Sequence, residues 1–133
     1  MRRELDVAAD VQHPNVMPVL DGDAGGTWLV MPLAIDNLEA RRETVLAADQ
    51  VRRVVEGVCT GLGAAHQLGW THRDIKPRNV LLLPDPERWV VADWGLVRRP
   101  PGMTTLNGRT RVGVVYGTEG FAPPELQPKR PSR

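Results

Sequence analysis

The sequence predicts an α+β fold in which a small antiparallel part is followed by a mainly helical part. Three observations support this prediction. A short amphipathic stretch near the N-terminus precedes two extended apolar runs, and residues 49–68 form a long amphipathic segment. Two further apolar runs then enclose a proline-containing turn. Stretches with the helical period and stretches typical of strands therefore follow one another along the chain.

The first element is a short helix over Glu4 to Val11, where apolar residues recur at close to helical spacing. It ends at His13-Pro14-Asn15, because proline bars continuation. Extended runs follow at Val16 to Leu20 and at Thr27 to Leu33, and residues 21–26 between them predict a hairpin turn. No helix follows the glycines of this turn, so it does not predict a phosphate-binding loop.

The second half of the chain begins with a short polar helix, which we expect to start at Asp36 as its N-cap. A longer helix is predicted from Asp49 to Leu68, and Gly69 is a natural stop for it. Its apolar face is expected to comprise Val51, Val54, Val55, Val58, Leu62 and Ala65. A second hairpin then joins Val80 to Leu83 and Trp89 to Ala92.

Residues 93–124 are rich in glycine, proline and threonine and show little periodicity, which predicts a functional or mobile segment. The tail, residues 127–133, is predicted to be disordered. The single cysteine, Cys59, excludes an internal disulfide, and its apolar helical surroundings predict a buried inert thiol.

The composition excludes several classes of partner. The chain has 133 residues, with 17 basic side chains (Lys and Arg) against 16 acidic ones. It therefore lacks the strong positive field that would predict binding to nucleic acid or to an anionic membrane. The longest apolar stretch, Trp28 to Ile35, is interrupted by Pro32 and is too short to cross a bilayer. The N-terminus lacks a signal-peptide core. We therefore expect a cytoplasmic protein with no membrane segment in this part.

One loop carries the residues with the clearest chemistry. Asp74, Lys76 and Asn79 stand on it, directly before a predicted strand. A carboxylate can accept the proton of an attacking hydroxyl, a lysine can neutralise a transferring phosphate, and an amide oxygen can ligate magnesium. Asp93 follows the next strand, and the hairpin should bring it back toward Asn79. The two side chains together are candidates for holding a metal ion.

The motifs around these residues resemble those of protein kinases. The pattern His72-Arg73-Asp74-x-Lys76-Pro77-x-Asn79 is similar to the catalytic loop, and Asp93-Trp94-Gly95 to the magnesium-binding Asp-Phe-Gly segment. Residues 117–125 resemble the end of the activation segment. Lysine and proline at 76 and 77 are the form found in the serine/threonine type. The resemblance implies a protein-kinase-like fold, with part of the small antiparallel lobe and the first half of the mainly helical large lobe.

The resemblance also implies a reaction and a set of roles. The γ-phosphoryl group of ATP would pass to a serine or threonine hydroxyl of a protein substrate, with Mg²⁺ as cofactor. Asp74 would be the base, Lys76 the phosphate contact, and Asn79 and Asp93 the magnesium ligands. Thr118 would contact the catalytic aspartate and lysine.

Further positions follow from the same resemblance. Met31 corresponds to the gatekeeper, the Pro32 carbonyl and the Ala34 amide to the hinge that meets adenine, and Leu81 to a further residue of the nucleotide site. Glu4 takes the place of the family's lysine-pairing glutamate, although a solvated, unpaired acid at a helix start is the interpretation we favour. The candidates for a phosphate acceptor that would pair with the loop arginine are Thr104, Thr105 and Thr110.

The sequence departs from the family at both ends. The glycine-rich loop and the strand lysine would precede Glu4, where only three residues lie, and no lysine occurs before Lys76. We therefore expect a remnant of the small lobe at 1–33, a partial large lobe at 34–126 and a disordered tail at 127–133. Low or no phosphoryl transfer is expected from this chain alone. The alternatives are a non-catalytic kinase-like binding module and a gene fragment without activity.

Overall fold

The computed structural model describes residues 2–44, 46–94, 118 and 120–122. Two helices and two small antiparallel sheets lie within these ranges, which confirms the α+β class. The elements, in chain order, are α1 (Arg2–Asp10), β1 (Asp21–Gly22), β2 (Leu29–Val30), β3 (Asp36–Asn37), α2 (Ala48–Gln67), a 3₁₀ turn (Pro77–Asn79), β4 (Val80–Leu83) and β5 (Arg88–Val91).

The predicted first helix is confirmed as α1, which buries one apolar edge. Val7 is fully buried, and Val11, just past the end of the helix, is 4% exposed. A helix of nine residues is marginal on its own in water, so this packing is its main source of stability. The two valines belong to a core cluster that also contains Trp70 and Trp94.

The first hairpin is shorter than predicted and shifted along the chain. β1 and β2 have two residues each and pair antiparallel, with Asp21 opposite Val30. Asp21 and Gly22, predicted as part of the turn, are therefore strand. The turn lies beyond them because the carboxylate of Asp23 accepts hydrogen bonds from the backbone amides of Gly25, Thr27 and Trp28. Those bonds fix the chain reversal.

The prediction of a polar helix starting at Asp36 is wrong. Asp36–Asn37 is strand β3, which pairs antiparallel with Leu81 and Leu82 of β4. The Asp36 carboxylate accepts from the amide of Asn37 at 2.7 Å and from Arg41 Nε at 2.6 Å, so it does not cap a following helix. Pairing with a strand more than forty residues away along the chain overrides the local capping signal.

The predicted long helix is confirmed as α2, but its buried face differs from the predicted one. Val51 and Val55 are 46% and 53% exposed, whereas Gly57 and Gly61 are buried. A β-carbon at Gly61 would lie 2.5 Å from the backbone oxygen of Asn15, so the chain entering the first sheet approaches the helix axis closely. The burial predicted for Cys59, on the same helix, is also wrong, since it is exposed.

The second hairpin is confirmed and forms the centre of the fold. β4 and β5 pair antiparallel with Val80 opposite Val91, and β3 adds a third strand on the other side of β4. Val16 makes an isolated parallel bridge to Val91. The three-stranded sheet packs against α2 through a cluster of buried side chains, which are Val54, Val80, Leu82 and Trp89.

Among the residues that the structure describes, no helix combines the length and the apolar character needed to cross a bilayer. The predicted disordered tail and the three candidate phosphate-accepting threonines lie outside the described residues.

Candidate active site

The loop of residues 72–79 connects the end of α2 to β4, and local geometry fixes its shape. Gly69, with φ of 78°, ends the helix, and its amide donates to the carbonyl of His66. Arg73 has φ of 70°, a conformation that costs a non-glycine residue about 1–2 kcal/mol. The contacts of the residues on either side of it must therefore hold the loop in place.

His72 provides two of these contacts. It is 2% exposed, its Nδ1 accepts a hydrogen bond from the Asp74 amide at 3.2 Å, and its Nε2 lies 2.9 Å from the carbonyl oxygen of Ala92. A carbonyl can only accept, so the ring is the neutral tautomer with its proton on Nε2. The ring centroid lies 4.5 Å from that of Trp94.

The protonation state of His72 follows from its surroundings. Burial lowers the pKa of the imidazole below its ordinary value of 6.5, although the Ala92 carbonyl and the charges of Asp93 and Asp74 act in the opposite direction. The ring therefore stays neutral near pH 7, which preserves Nδ1 as the acceptor for the Asp74 amide.

Asp74 lies at the centre of a hydrogen-bonded cluster with Lys76 and Thr118. Its Oδ1 accepts from both the amide and the hydroxyl of Thr118, at 2.9 and 2.8 Å. Its Oδ2 accepts from Lys76 Nζ at 2.7 Å, and the same nitrogen donates to the Thr118 hydroxyl at 2.6 Å. Two side chains from distant segments, Lys76 and Thr118, thus converge on one carboxylate.

The cluster keeps the carboxylate ionised. Burial of Asp74, which is 8% exposed, would raise its pKa, but the hydrogen bonds from Lys76 and Thr118 outweigh that effect and hold the pKa below its ordinary value of 3.8. A carboxylate that is ionised at neutral pH and touches a hydroxyl is chemically able to accept a proton from an alcohol.

Asn79 lies directly behind this cluster. It is 3% exposed, and its Nδ2 donates to the Asp74 carbonyl oxygen at 2.9 Å. Among the described residues, both side-chain hydrogen bonds of Asn79, to the carbonyl oxygen and to Oδ2 of Asp74, use Nδ2. The Asn79 carbonyl accepts from the Ala92 amide at 2.9 Å, which brings the chain next to Asp93 alongside it.

Asp93 has φ of 60° and an exposed side chain. An amide oxygen and a carboxylate are oxygen donors of the kind that Mg²⁺ prefers. Within the described ranges, no group of three or more His, Cys, Asp and Glu side chains is placed to hold a metal. The pair fits a magnesium ion that takes its remaining ligands from phosphate oxygens and water, as is usual at sites that bind nucleotides.

The four residues expected to meet adenine divide into two groups. Ala34 and Leu81 pack against one core cluster, which contains Met17, Leu83, Val90 and Ala92. Met31 is 44% exposed, and Pro32 is half-buried. The structure thus brings Ala34 and Leu81 to one apolar surface, and the adenine-binding role of all four residues stays a prediction.

Two residues near the N-terminal end were not foreseen correctly. Glu4 differs from its expected environment, and Asn15 was not singled out as a site residue. Glu4, expected to be a solvated and unpaired acid, is half-buried and has an interaction partner. Asn15 connects three segments, because its Nδ2 donates to the Trp89 carbonyl at 2.8 Å and its Oδ1 accepts from the Thr60 hydroxyl at 3.0 Å. The sequence placed Asn15 in a turn but gave no signal for these distant partners.

Comparison with known proteins gives one consistent result. A family model described as the protein kinase domain matches residues 1–132. The serine/threonine-protein kinase PknE of Mycobacterium tuberculosis is 33% identical over 130 residues, covering 94% of this chain and 22% of the relative. The serine/threonine-protein kinase pkn3 of Myxococcus xanthus is 32% identical over 133 residues, covering 93% and 24%. PknJ of Mycobacterium bovis, also a serine/threonine-protein kinase, is 37% identical over 131 residues, covering 93% and 22%.

The chain thus spans between 22% and 24% of the length of these three curated relatives. The family model extends over nearly the whole sequence, including the 72–79 loop and the segment around Thr118. With a buried, ionised carboxylate bonded to a lysine and a threonine at the positions of the motif, the chain belongs to the protein kinase family.

Proposed function

We propose that this chain forms part of a serine/threonine protein kinase, which transfers the γ-phosphoryl group of ATP to a serine or threonine hydroxyl of a protein substrate. The contact between the Thr118 hydroxyl and Asp74 Oδ1, at 2.8 Å, carries the proposal. It is the same hydrogen bond that a general base makes to an acceptor alcohol. The form of the loop, with Lys76 followed by Pro77, and the names of the relatives support serine and threonine as acceptors.

In the proposed reaction Asp74 orients the acceptor hydroxyl and receives its proton. A bond forms between the hydroxyl oxygen and the γ-phosphorus, and the bond from that phosphorus to the β,γ-bridging oxygen breaks, which releases ADP. Lys76, already 2.7 Å from the carboxylate, neutralises negative charge on the transferring group. Thr118 fixes the carboxylate from its other side.

Mg²⁺ and ATP are the proposed cofactor and co-substrate. Asn79 Oδ1 and the Asp93 carboxylate would hold the ion, whose contribution is to neutralise phosphate charge. Met31, Pro32, Ala34 and Leu81 would surround the adenine. In this proposal residues 1–33 belong to the small lobe and 34–126 to the large lobe. Use of ATP fits a cytoplasmic location.

The first test is the thermal unfolding of the chain, followed by circular dichroism with and without Mg²⁺ and ATP. We expect the nucleotide to raise the midpoint, because a ligand that binds only the folded state stabilises it. Asp93→Asn should abolish the shift. The matched control is Glu43→Gln, which neutralises an exposed carboxylate far along the chain from the loop. This variant should retain the rise of the midpoint.

A midpoint that does not respond to Mg²⁺ and ATP, or one that responds equally in the Asp93→Asn variant, contradicts the proposed nucleotide site. Phosphoryl transfer from labelled ATP to a serine peptide is then measured on the same samples. Transfer that survives Asp74→Asn unchanged contradicts the role of Asp74.

A second candidate function is a kinase-like module that binds a partner without catalysis. The observation that favours it is a run of exposed large apolar side chains between residues 20 and 35, which are Leu20, Trp28, Val30, Met31, Leu33 and Ile35. Exposed apolar surface of this kind marks interaction sites. Cooperative unfolding without any response to nucleotide favours this candidate over catalysis.

A further inference from the structure

A hydrogen bond joins α1 to the segment just before the 72–79 loop across a sequence separation of 60 residues. The indole Nε1 of Trp70 donates to Asp10 Oδ2 at 3.1 Å. Trp70 is 1% exposed, and a buried indole N–H requires a partner. The carboxylate of Asp10, which lies at the surface, supplies it.

The location of Asp10 is unfavourable for the helix that carries it. Asp10 is the last residue of α1, whose final turn contains no basic side chain. The C-terminal end of a helix carries partial negative charge, which repels a carboxylate. Asp10 therefore destabilises a helix that is already short, and its hydrogen bond to Trp70 compensates for this unfavourable position.

Trp70 lies four residues before the proposed base, Asp74, along the chain. Its backbone amide donates to the Ala65 carbonyl at 3.0 Å, which ties it to the end of α2. Two residues later, His72 Nδ1 accepts the amide of Asp74. The indole also belongs to the cluster formed by Val7, Trp94 and neighbouring buried residues, so α1 and the loop share one apolar contact surface.

We propose that the Asp10–Trp70 hydrogen bond is a tether that fixes α1 to the catalytic loop, and that Trp70 is thereby a positioning residue for Asp74. The proposal rests on the proposed function in one respect, which is the role of Asp74 as the base. Displacement of α1 would break the bond and leave the indole N–H without its acceptor. The position of the helix and the order of the 72–79 loop are therefore linked.

The test is amide hydrogen exchange of the whole chain, followed by NMR, in three variants. Asp10→Ala removes the acceptor, Trp70→Phe removes the donor, and Asp10→Asn keeps an oxygen acceptor. Three amides report on the link: Val11, which donates to Val7 at the end of α1, Asp74, which donates to His72, and Thr118, which donates to Asp74.

We expect Asp10→Ala and Trp70→Phe each to speed exchange at all three amides by about tenfold or more, since local opening becomes easier. Asp10→Asn should restore most of the protection. The variant with both Asp10→Ala and Trp70→Phe should exchange no faster than either single variant, because one shared bond is lost in each. The controls Glu43→Ala and Trp28→Phe change an exposed acid and a half-exposed indole and should leave the rates unchanged.

Faster exchange at Val11 alone, with Asp74 and Thr118 unchanged, overturns the positioning role. Additive effects in the double variant, or no rescue by Asp10→Asn, overturn the tether itself. The surface substitution at Asp10 keeps the core intact, so the test holds even where Trp70→Phe disturbs folding. None of these measurements depends on nucleotide binding or phosphoryl transfer. They therefore test the tether separately from the proposed function, whose failure would appear only in the nucleotide and transfer assays.

Discussion

The hydroxyl of Thr118 lies 2.8 Å from the carboxylate of Asp74, although 44 residues separate them along the chain. The amide of Thr118 donates to the same oxygen at 2.9 Å. Two bonds from one residue thus link the 72–79 loop to the described part of the segment around position 118. Its strength can be measured by substitutions of Thr118, whose hydroxyl also accepts a hydrogen bond from Lys76 Nζ.

Thr118→Val removes the hydroxyl, retains the shape of the side chain and keeps the backbone amide bond. We expect the free energy of unfolding to fall by about 1.5–3 kcal/mol, since hydrogen bonds to a charged group contribute roughly that much. Urea denaturation gives the value. Thr118→Ser should retain most of the stability, and Thr44→Val, at an exposed threonine, is the matched control. Equal losses in the serine and valine variants would argue against the hydroxyl bond.

Asp74→Asn keeps the size of the side chain but removes the proposed proton acceptor. We expect any phosphoryl transfer by the chain to fall by about 10²–10⁴-fold, which is the usual contribution of a general base. Single-turnover transfer from labelled ATP measures it, because turnover of the chain alone is expected to be slow. Glu43→Gln serves as the control and should retain the wild-type rate. A fall of less than threefold in Asp74→Asn would be incompatible with a base at this position.

The stability of the chain should fall below pH 6.5 because of His72. Its pKa is lowered in the folded state by burial, so the unfolded chain binds the proton first as the pH falls. The contribution of the neutral ring is thus present above pH 6.5 and is lost as the pH drops from there toward the folded-state pKa. Between pH 7.5 and 5.5 we expect a loss of no more than about 1.4 kcal/mol, the limit for one proton over the single pH unit below 6.5.

Denaturation with urea at the two pH values measures this loss. In His72→Asn the difference between pH 7.5 and 5.5 should shrink by about the same amount. His66→Gln changes an exposed histidine and should preserve the difference. A loss that is identical in the wild type and in His72→Asn would assign the pH dependence to other groups.

Gly61 and Gly63 on α2 should respond in opposite directions to alanine. A β-carbon at Gly61 would lie 2.5 Å from the backbone oxygen of Asn15, whereas nothing lies within 4 Å of one at Gly63. We expect Gly61→Ala to cost about 1–3 kcal/mol through forced displacement of the 14–15 chain. Gly63→Ala should stabilise the helix by up to about 1 kcal/mol, which is the propensity difference between the two residues. Thermal unfolding of the two variants, compared with that of the wild type, shows whether each substitution lowers or raises the stability.

The elements that the sequence predicted well are those with long or regular patterns. α2 was found within one residue at each end, because its apolar residues recur over five turns, and the β4–β5 hairpin was found because two apolar runs flank a short turn. β3 was missed because its two residues, Asp36 and Asn37, are polar and become strand only by pairing with β4. A contact of that kind leaves no local trace in the sequence.

The candidate site shows the same division. The motif placed Asp74, Lys76 and Asn79 on one loop, and the structure brings them within hydrogen-bonding distance of one another. Thr118 entered the prediction only through the resemblance to protein kinases, since nothing in its surroundings signals a partner 44 residues away. The bond between Asp10 and Trp70 had no signal at all, because an acid and an indole 60 residues apart form no recognisable pattern.

The contacts of Asn15 have a consequence for the order in which the chain acquires its structure during synthesis. Its side-chain nitrogen Nδ2 donates to the Trp89 carbonyl, 74 residues further on, and its backbone carbonyl accepts from the Val91 amide. At roughly 5–20 residues per second, a ribosome needs about 4–15 seconds to add those residues after Asn15. For that interval the N-terminal helix and turn have no sheet to pack against, and they are exposed to proteases and chaperones until β5 emerges.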